Sequence, residues 1–373
     1  MGQERTGGRP TSKPGRPLRG SGSRRRPRPR RRGIRVAAWS AAGLVAVAGT
    51  GGGYLYYHFN GNLKGVDINA ALGSDRPDDV DNGSMDILLL GSDSRAGANA
   101  EYGLDEGGAR ADTAMVLHVY EGHKKASVVS IPRDTLVTRP DCTAENGQDE
   151  PGGTRVMFNT AYQVGGPACA VKTVEQMSGI RMDHYLEVDF SGFKNLIDEL
   201  GGVDLTLKQP VNDAKSRLDL EAGPHTLDGE QSLALVRTRK AVGDGSDLGR
   251  IQLQQAFVKA LIAQAKSVGV FSSPTKLYGL ADTATKAVTT DSELDSVKSL
   301  TSFANGLKDI GGKNLDMVTM PVVYDTSDVN RVVPLEKQSA QVWAALKADR
   351  PIPASATKDS AGDKGEAGKV VGS

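Results

Sequence analysis

Two cysteines in 373 residues are too few for the dense bridging that carries a small secreted scaffold. Aromatic residues supply only 5% of the chain. There is no Gly-x-y period and no sustained heptad, which excludes a collagen and a coiled coil. No segment of 20–50 residues recurs, so a solenoid is excluded as well. A single long apolar run is too little for a polytopic membrane protein. The five histidines, His58, His118, His123, His184 and His225, share no metal-binding spacing. A P-loop, a Gly-x-Ser-x-Gly elbow and a His-Glu-x-x-His helix are all missing.

What is present is sharply divided by charge. The net charge of +1 averages a basic arm and an acidic body. Residues 1–35 hold 13 Arg and Lys against one acid, Glu4. The remaining 338 residues carry a net charge of −11. Residues 1–33, rich in Arg, Pro, Gly and Ser, cannot offset their ordering entropy and are expected to be a disordered cytoplasmic arm. Val36 to Tyr57 then runs for 22 residues without a formal charge. As a helix this run reaches about 33 Å, enough to cross a bilayer. Residues 34–57 are therefore read as a single-pass transmembrane anchor, with the Arg-dense side cytoplasmic and Tyr54, Tyr56 and Tyr57 at the far interface. The bilayer is one expected partner, and binding of the arm to anionic lipid an addition to it. Nucleic acid is not expected as a partner. Ala46-Val47-Ala48 leaves a cleaved signal peptide as the alternative. On either reading the residues from 58 onward are extracytoplasmic. In that oxidising space Cys142 and Cys169 are expected to pair, with two unpaired buried thiols as the alternative.

Beyond the anchor, residues 58–84 read as a polar linker. Met85 to Leu90 is a short buried strand ending at Gly91. Thr113 to Tyr120 and Ala126 to Ile131 are two more strands, and residues 138–155 a loop. Asn159 to Gly165 and Ala168 to Ser178 look helical, His184 to Phe190 is a strand, and Gly192 to Leu200 a helix. Val203 to Leu207 alternates as a strand. Asp228 to Val236 and Arg250 to Ser267 are helical, the second with Ile251, Phe257, Val258, Leu261 and Ile262 on one apolar stripe. Residues 272–308 read as mostly helical, Leu315 to Val323 as a strand, Pro334 to Ala348 as the last helix and 351–373 as a disordered tail. This alternation predicts one layered α/β domain over 85–350, a central mixed β-sheet flanked by helices, following the transmembrane helix.

Arginine and aspartate gather at strand ends and loops. Gly91-Ser92-Asp93-Ser94-Arg95 follows the first strand and Arg110-Ala111-Asp112-Thr113 precedes the second. Pro132-Arg133-Asp134 ends the third. Arg237-Thr238-Arg239 follows one helix and Asp247-Leu248-Gly249-Arg250 opens the next. Ligands of open α/β sheets bind in the loops beyond the strand ends. Arginine grips phosphate oxygens two at a time, and carboxylates beside it can hold Mg²⁺, which favours carboxylate, phosphate and water oxygens. Together these residue types make a pyrophosphate site. Each pair alone is ordinarily a solvated surface ion pair.

The order of these blocks carries a resemblance. After the strand and Gly-Ser-Asp-Ser-Arg come Arg-Ala-Asp-Thr, Ile-Pro-Arg-Asp-Thr-Leu and Phe-Asn-Thr-Ala-Tyr. Then come Asp-His-Tyr-Leu-Glu-Val-Asp-Phe-Ser-Gly-Phe, Leu-Gly-Gly-Val-Asp, Leu-Asp-Gly-Glu-Gln-Ser-Leu-Ala-Leu-Val-Arg-Thr-Arg and Asp-Leu-Gly-Arg. Over residues 85–265 the chain resembles the LytR-CpsA-Psr family of cell-wall glycopolymer ligases, in a composition of actinobacterial type. The resemblance implies a Mg²⁺-dependent phosphotransferase. It would take a glycan carried on polyprenyl pyrophosphate and attach the phospho-glycan to a peptidoglycan hydroxyl, with the lipid tail in a long apolar pocket. It places Asp93 and Asp112 on Mg²⁺, and Arg110, Arg133, Arg237, Arg239 and Arg250 on the pyrophosphate. Asp247 would orient the arginines, and Arg95 and Asn159 would contact substrate. Two departures stand out. The stretch between Arg95 and Arg110 is long and Gly-rich, a possible lid, and Leu253 stands where the family often has arginine. A hydrolase releasing the phospho-glycan to water and a non-catalytic membrane scaffold or regulator of wall assembly are the alternative classes.

Overall fold

The computed structural model describes Thr50 and residues 52–74, 76–92, 111–144, 146–239, 247–268, 274–363 and 370–372. The chain divides into a unit of residues 1–54 and one running from Leu55 to Ser373. The second unit holds the central sheet. Among the described residues no helix is long and apolar enough to cross a membrane. The anchor expected over 34–57 lies outside them but for its last residues, as do the arm and the Gly-rich stretch 96–109.

The first part of the domain is the segment expected to be a linker. Residues 55–62 are helical (α1), and β1 (Lys64–Val66) and α2 (Ile68–Leu72) come next. Ile68 and Leu72 are buried in the main core, and Asp67 caps α2 by accepting from the Ala70 N–H at 3.1 Å. Arg76 pairs with the buried Glu175 at 2.5 Å and donates to the Met182 carbonyl at 2.9 Å. Residues 64–74 and Arg76 are thus a folded part of the domain. Two apolar anchors and one buried ion pair outweigh the polar composition.

The strands β2 (Met85–Ser92), β3 (Ala111–Val119) and β4 (Ala126–Ile131) form the middle of the sheet. Where a loop is expected over 138–155, the structure has short hairpins. β5 (Leu136–Arg139) pairs with β8 (Gly153–Met157), and β6 (Cys142–Thr143) with β7 (Asp149–Glu150). Helix α3 (Asn159–Ser178) breaks at Gly165 and Gly166, ahead of Pro167, matching the two helices expected there. The break brings α3 against a Cys142–Cys169 disulfide with a Cα–Cα distance of 5.5 Å. A Cβ on Gly165 would lie 2.8 Å from that of Cys169, so only glycine admits the approach.

Strand β9 (His184–Asp189) leads into α4 (Phe190–Glu199), capped by Asp189 on the Gly192 N–H. A small sheet and hairpin come after it: β10 (Val203–Leu207), β11 (Val211–Asp213), β12 (Leu218–Leu220) and β13 (Gly223–Leu227). Helix α5 (Gly229–Arg237) opens with a capping box of Asp228 and Gln231, and α6 runs from Asp247 to Ser267. The stretch expected to be mostly helical is α7 (Pro274–Ala287), then a strand, β14 (Val288–Asp291), then α8 (Val297–Leu307). β-Branched Val288, Thr289 and Thr290 suit that strand. β15 (Leu315–Thr319) and β16 (Val322–Tyr324) are separate strands, parted by Pro321, and β17 (Val332–Pro334) pairs with β16. α9 (Glu336–Lys347) is not the last helix. α10 (Ala354–Thr357) lies beyond it, and β18 (Val371–Gly372) adds to the edge of β10. The expectation of a disordered tail is corrected for its described residues: Ala356, Ser360 and Val370 are buried, and the Ser360 hydroxyl accepts from the Val322 N–H at 3.1 Å.

The seven-stranded sheet runs β1-β14-β9-β2-β3-β4-β15. β2 is antiparallel to β3 and parallel to β9, and β15 is parallel to β4, so the sheet is mixed, as expected. Alternation divides its faces. Leu88, Leu90, Ala114, Val116, Val129 and Ile131 meet α3 and α9 in one core. Ile87, Met115 and Val128 face the other way, toward α6 and α8.

At the end of the sheet remote from Ser92, buried His118 is clamped between two carboxylates. Its Nδ1 lies 2.8 Å from Asp86 Oδ1 and its Nε2 3.1 Å from Asp349 Oδ1. Burial alone would lower its pKa; the bonds to Asp86 and then Asp349 more than offset this and hold it above 6.5. Because the folded value is raised, the protonated clamp stabilises fully below about pH 6.5 and fades as pH rises through the folded pKa. His118→Gln should cost about 2 kcal/mol below pH 6.5, the deficit narrowing at alkaline pH in urea melts run across pH; a constant deficit would refute the charged clamp. Cys142→Ser/Cys169→Ser should lower stability by about 3 kcal/mol, visible as an earlier urea midpoint.

Candidate functional site

The sheet register brings the candidate residues together. β2 ends at Ser92, opposite Ala111, after an irregularity at Gly91. Asp112 is therefore at the start of β3, beside the exit of β2. Asp93, Arg95 and Arg110 lie outside the described residues.

Pro132 stops β4, and the next residues form a pinned turn. The Thr135 hydroxyl and N–H both donate to the Pro132 carbonyl, at 2.6 and 3.0 Å. The Asn159 N–H donates to the Arg133 carbonyl at 3.1 Å, tying the start of α3 to the turn. Held in this way, the Arg133 guanidinium pairs with Asp112, and lies 3.7 Å from Asp134 and 3.6 Å from Asp247. Asp247, in the first turn of α6, also holds Arg250 at 2.5 Å. Arg250 donates in addition to the Asp112 carbonyl at 3.1 Å and is almost wholly buried.

The Arg-x-Arg element has a simple local cause. Thr238 is extended, with φ −67° and ψ 142°, and is buried. Its hydroxyl donates to Asp213 Oδ2 at 2.7 Å. Fixing Thr238 in this way anchors the short stretch that carries Arg237 and Arg239. Arg237 lies 4.7 Å over the Phe190 ring. Arg239 lines a cavity of about 520 Å³ together with Arg133, Asp134, Asn159, Asp247, Tyr324 and Arg331. A separate cavity of about 960 Å³ flanks α6 near Gln255, Lys259 and His225 and shares none of this lining.

Among the described residues guanidinium groups outnumber carboxylates here: Arg133, Arg239, Arg250 and Arg331 stand around Asp112, Asp134 and Asp247. Burial would lower the Arg133 pKa, but Asp112, Asp247 and Asp134 raise it, so the cation persists. Burial pushes the Asp134 carboxyl above 3.8, against the pull of Arg133. Asn159 Oδ1, Arg133 Nε, Arg250 Nε and both oxygens of Asp247 are buried without a well-aligned hydrogen bond, the Asp247 contacts being ion pairs. Buried polar atoms are ordinarily satisfied, so this cluster is shaped for a ligand that is polar and, from the excess of arginine, anionic.

The sheet's second face is sealed incompletely. Leu89, Leu117, Leu186 and Met317 on the strands, and Ile262, Phe303 and Leu307 on the helices above them, are each only partly buried. Helix α8 has an apolar face yet no fully buried residue. An apolar layer therefore remains accessible between sheet and helices.

Among the described candidates, Asp112, Arg133, Asn159, Arg239, Asp247 and Arg250 converge, and Arg237 is one extended step away. Cys142 and Cys169 form the disulfide that ties β6 to α3. Leu253 points into the second core, among Leu205, Leu227 and Phe257. One residue on, Gln254 donates to Thr113 Oγ1 at 3.1 Å and to the Val236 carbonyl at 3.0 Å, joining α6 to β3 and α5. Sequence reasoning misses Gln254, although its i+4 spacing from Arg250 places both on one side of α6. It misses Asp134 and Arg331 too, which lie 3.8 Å apart. Asp134 is visible in the Pro-Arg-Asp block, whereas Arg331, far downstream in a loop, leaves no signal. A metal is implied by the resemblance. Among the described residues no group of three or more His, Cys, Asp or Glu could hold one. A single strand-end carboxylate, Asp112, fits Mg²⁺ only as part of a set completed by Asp93, phosphate and water.

The sequence pattern of the LytR_cpsA_psr family matches residues 55–348. The cell wall biosynthesis protein LcpA of Corynebacterium glutamicum is 32% identical over 363 residues, spanning 88% of this chain and 68% of that one. The polyisoprenyl-teichoic acid–peptidoglycan teichoic acid transferase TagT of Bacillus subtilis is 34% identical over 298 residues, covering 77% and 86%. A solved structure of TagT bound to LI-WTA superposes with a TM-score of 0.54 at 26% identity, over 74% of this chain and 96% of that one. With the family pattern extending over most of the domain, the chain belongs to the LytR_cpsA_psr family, the LytR-CpsA-Psr proteins that its motif order resembles.

Proposed function

We propose that this protein is a membrane-anchored phosphotransferase that moves a phospho-glycan from a polyprenyl-pyrophosphate carrier onto a peptidoglycan hydroxyl. The observation that carries the reading is the arginine excess around Asp112, Asp134 and Asp247, set beside an apolar layer left accessible. A pyrophosphate needs the first and a polyprenyl chain the second. TagT, whose name states a transfer from polyisoprenyl-linked teichoic acid to peptidoglycan, supports the same chemistry for this chain. Anchoring through residues 34–57, with the domain outside the cell, would set the site beside its lipid-linked donor.

Phosphoryl transfer depends on positioning and charge neutralisation more than on a strong base. Arg133 and Arg250 are held rigid by Asp247, so they meet the pyrophosphate without reorganising. Arg237 and Arg239 approach from the end of α5 and complete the grip. Asp112, with Asp93, would hold Mg²⁺, whose charge helps neutralise the leaving phosphate. In the reaction the acceptor oxygen bonds to the phosphorus nearest the glycan. The phosphorus–oxygen bond to the polyprenyl phosphate breaks, and the hydroxyl proton is lost to a base. The substrate's own pyrophosphate bond supplies the driving force, in keeping with a sequence that has no P-loop.

The full chain, in vesicles holding a polyprenyl-pyrophosphate-linked glycan, should convert added peptidoglycan fragments to a phosphodiester-linked product, identified by mass and abolished by chelation. Release of free phospho-glycan alone would instead show a hydrolase, and an unchanged donor a non-catalytic protein. Arg133→Ala should lower kcat by about 10²-fold or more. Arg133→Lys should recover little of this, because a point charge cannot span Asp112 and Asp247 as the fork does. Full activity in the Lys variant would refute the positional role.

A further inference from the structure

The cavity beside the arginine cluster has a second population of lining residues that pyrophosphate binding leaves unused. Asn159 opens α3, and its amide oxygen is buried and unpartnered while the side chain lines the cavity. Its backbone is fixed on the Arg133 carbonyl, so the amide is held in place. An amide oxygen only accepts, so it calls for a donor such as a hydroxyl. On the far wall stand Tyr324 and Val329, both exposed, with Asn330 and Arg331. An aromatic ring with amide and guanidinium donors around it is a surface for a sugar, whose rings offer apolar faces and whose rims offer hydroxyls. Asp134 lies in the same lining, 3.8 Å from Arg331.

The position of this cavity relative to the sheet matters as much as its chemistry. Its lining includes Leu248 and Val332, which belong to the core on the α3 side. The accessible apolar layer, suited to the lipid, lies on the opposite face, with α6 and α8. In-line displacement requires the nucleophile to enter opposite the leaving group. With polyprenyl phosphate leaving on the lipid side, the nucleophile must come from the Asn159 side.

Building on the phosphotransferase reading, we propose that the cavity bounded by Asn159, Tyr324 and Arg331 is the acceptor subsite, binding a sugar unit of a glycan strand and presenting its hydroxyl to phosphorus. Asn159 Oδ1 accepts a hydrogen bond from the sugar and Tyr324 supports its ring. As the acceptor oxygen bonds to phosphorus and the polyprenyl phosphate departs, the hydroxyl proton passes to the Asp134 carboxylate and from there to solvent.

The test is steady-state kinetics on the full chain in vesicles, varying a polyprenyl-pyrophosphate-linked glycan and soluble peptidoglycan fragments in turn. Tyr324→Ala, at an exposed position, and Asn159→Ala should each raise the KM for the fragments about tenfold. The KM for the donor should move far less. Tyr324→Phe, which keeps the ring, should restore most of the acceptor affinity. A parallel rise in both KM values would assign the cavity to the donor glycan and overturn the proposal. Unchanged acceptor KM in both variants would overturn it as well, while leaving the transferase reading standing. A wild-type protein that transfers nothing would refute that reading itself, and the subsite with it.

Discussion

Asp247 is the constraint on which the site depends. One buried carboxylate, in the first turn of α6, holds Arg250 at 2.5 Å and Arg133 at 3.6 Å, joining the end of β4 to the start of a helix more than a hundred residues later in the chain. Like charges this close repel, and without the acids between them the arginines would spread toward solvent. Asp112 and Asp134 finish the arrangement on the strand side. The cost is a set of desolvated ions whose mutual attraction only partly offsets their burial. Such a cluster is poor evidence for stability. It makes sense as a preformed receptor, with an anion replacing the water that its own carboxylates cannot.

Helix α6 transmits that arrangement to the fold. Every residue from Leu248 to Gln254 is buried, which an amphipathic surface helix would not allow. The expected single stripe of Ile251, Phe257, Val258, Leu261 and Ile262 is in fact divided among several cores. Leu248 and Ile251 enter the α3-side core, Leu253 and Phe257 the small-sheet core, and Ile262 the layer facing α8. Gln254 and Gln255 attach the helix to β3 and β4 through Thr113 and Ser130. The first turns of the helix are therefore held on several sides and cannot rotate about the axis without breaking several contacts. This is what lets Asp247, in its first turn, keep two guanidinium groups in register.

Much of this is legible in the sequence, and the exceptions have physical causes. The strands β2 to β4 are readable because their apolar runs are covered on both faces, one fully and one in part. The site is readable because Asp112, Arg133, Asp247 and Arg250 sit where strands or helices start and stop. The linker and tail escape such a reading because composition averages over many residues whereas docking needs few. Ile68, Leu72 and the Arg76–Glu175 pair hold the first, and Ala356, Ser360 and Val370 the second. β14 is hidden between two helices, four residues long, and becomes a strand only through its neighbours β1 and β9. Asn159 stands out in its motif, but the orphaned state of its amide oxygen depends on α3 meeting the Arg133 turn. No local pattern could convey that, and Arg331 reaches Asp134 across some two hundred residues of chain.

The two faces of the sheet give the site its direction. Above α3 the core is closed, and Leu88, Leu90, Val116 and Val129 are buried. Toward α8 the equivalent residues Leu89 and Leu117 remain partly open, although the same strands carry both sets. Alternation alone would allow both faces to seal. The difference lies in the covering helices, because α8 contributes no fully buried residue. On the proposed reading this looseness is functional. A domain that closed both faces would gain stability from apolar burial, yet have nowhere to hold a lipid chain. Leaving one face open sacrifices some of that stability and separates the substrates, with the lipid on one side of the arginine cluster and the polar cavity on the other. The charged centre at the strand ends is then where the two meet.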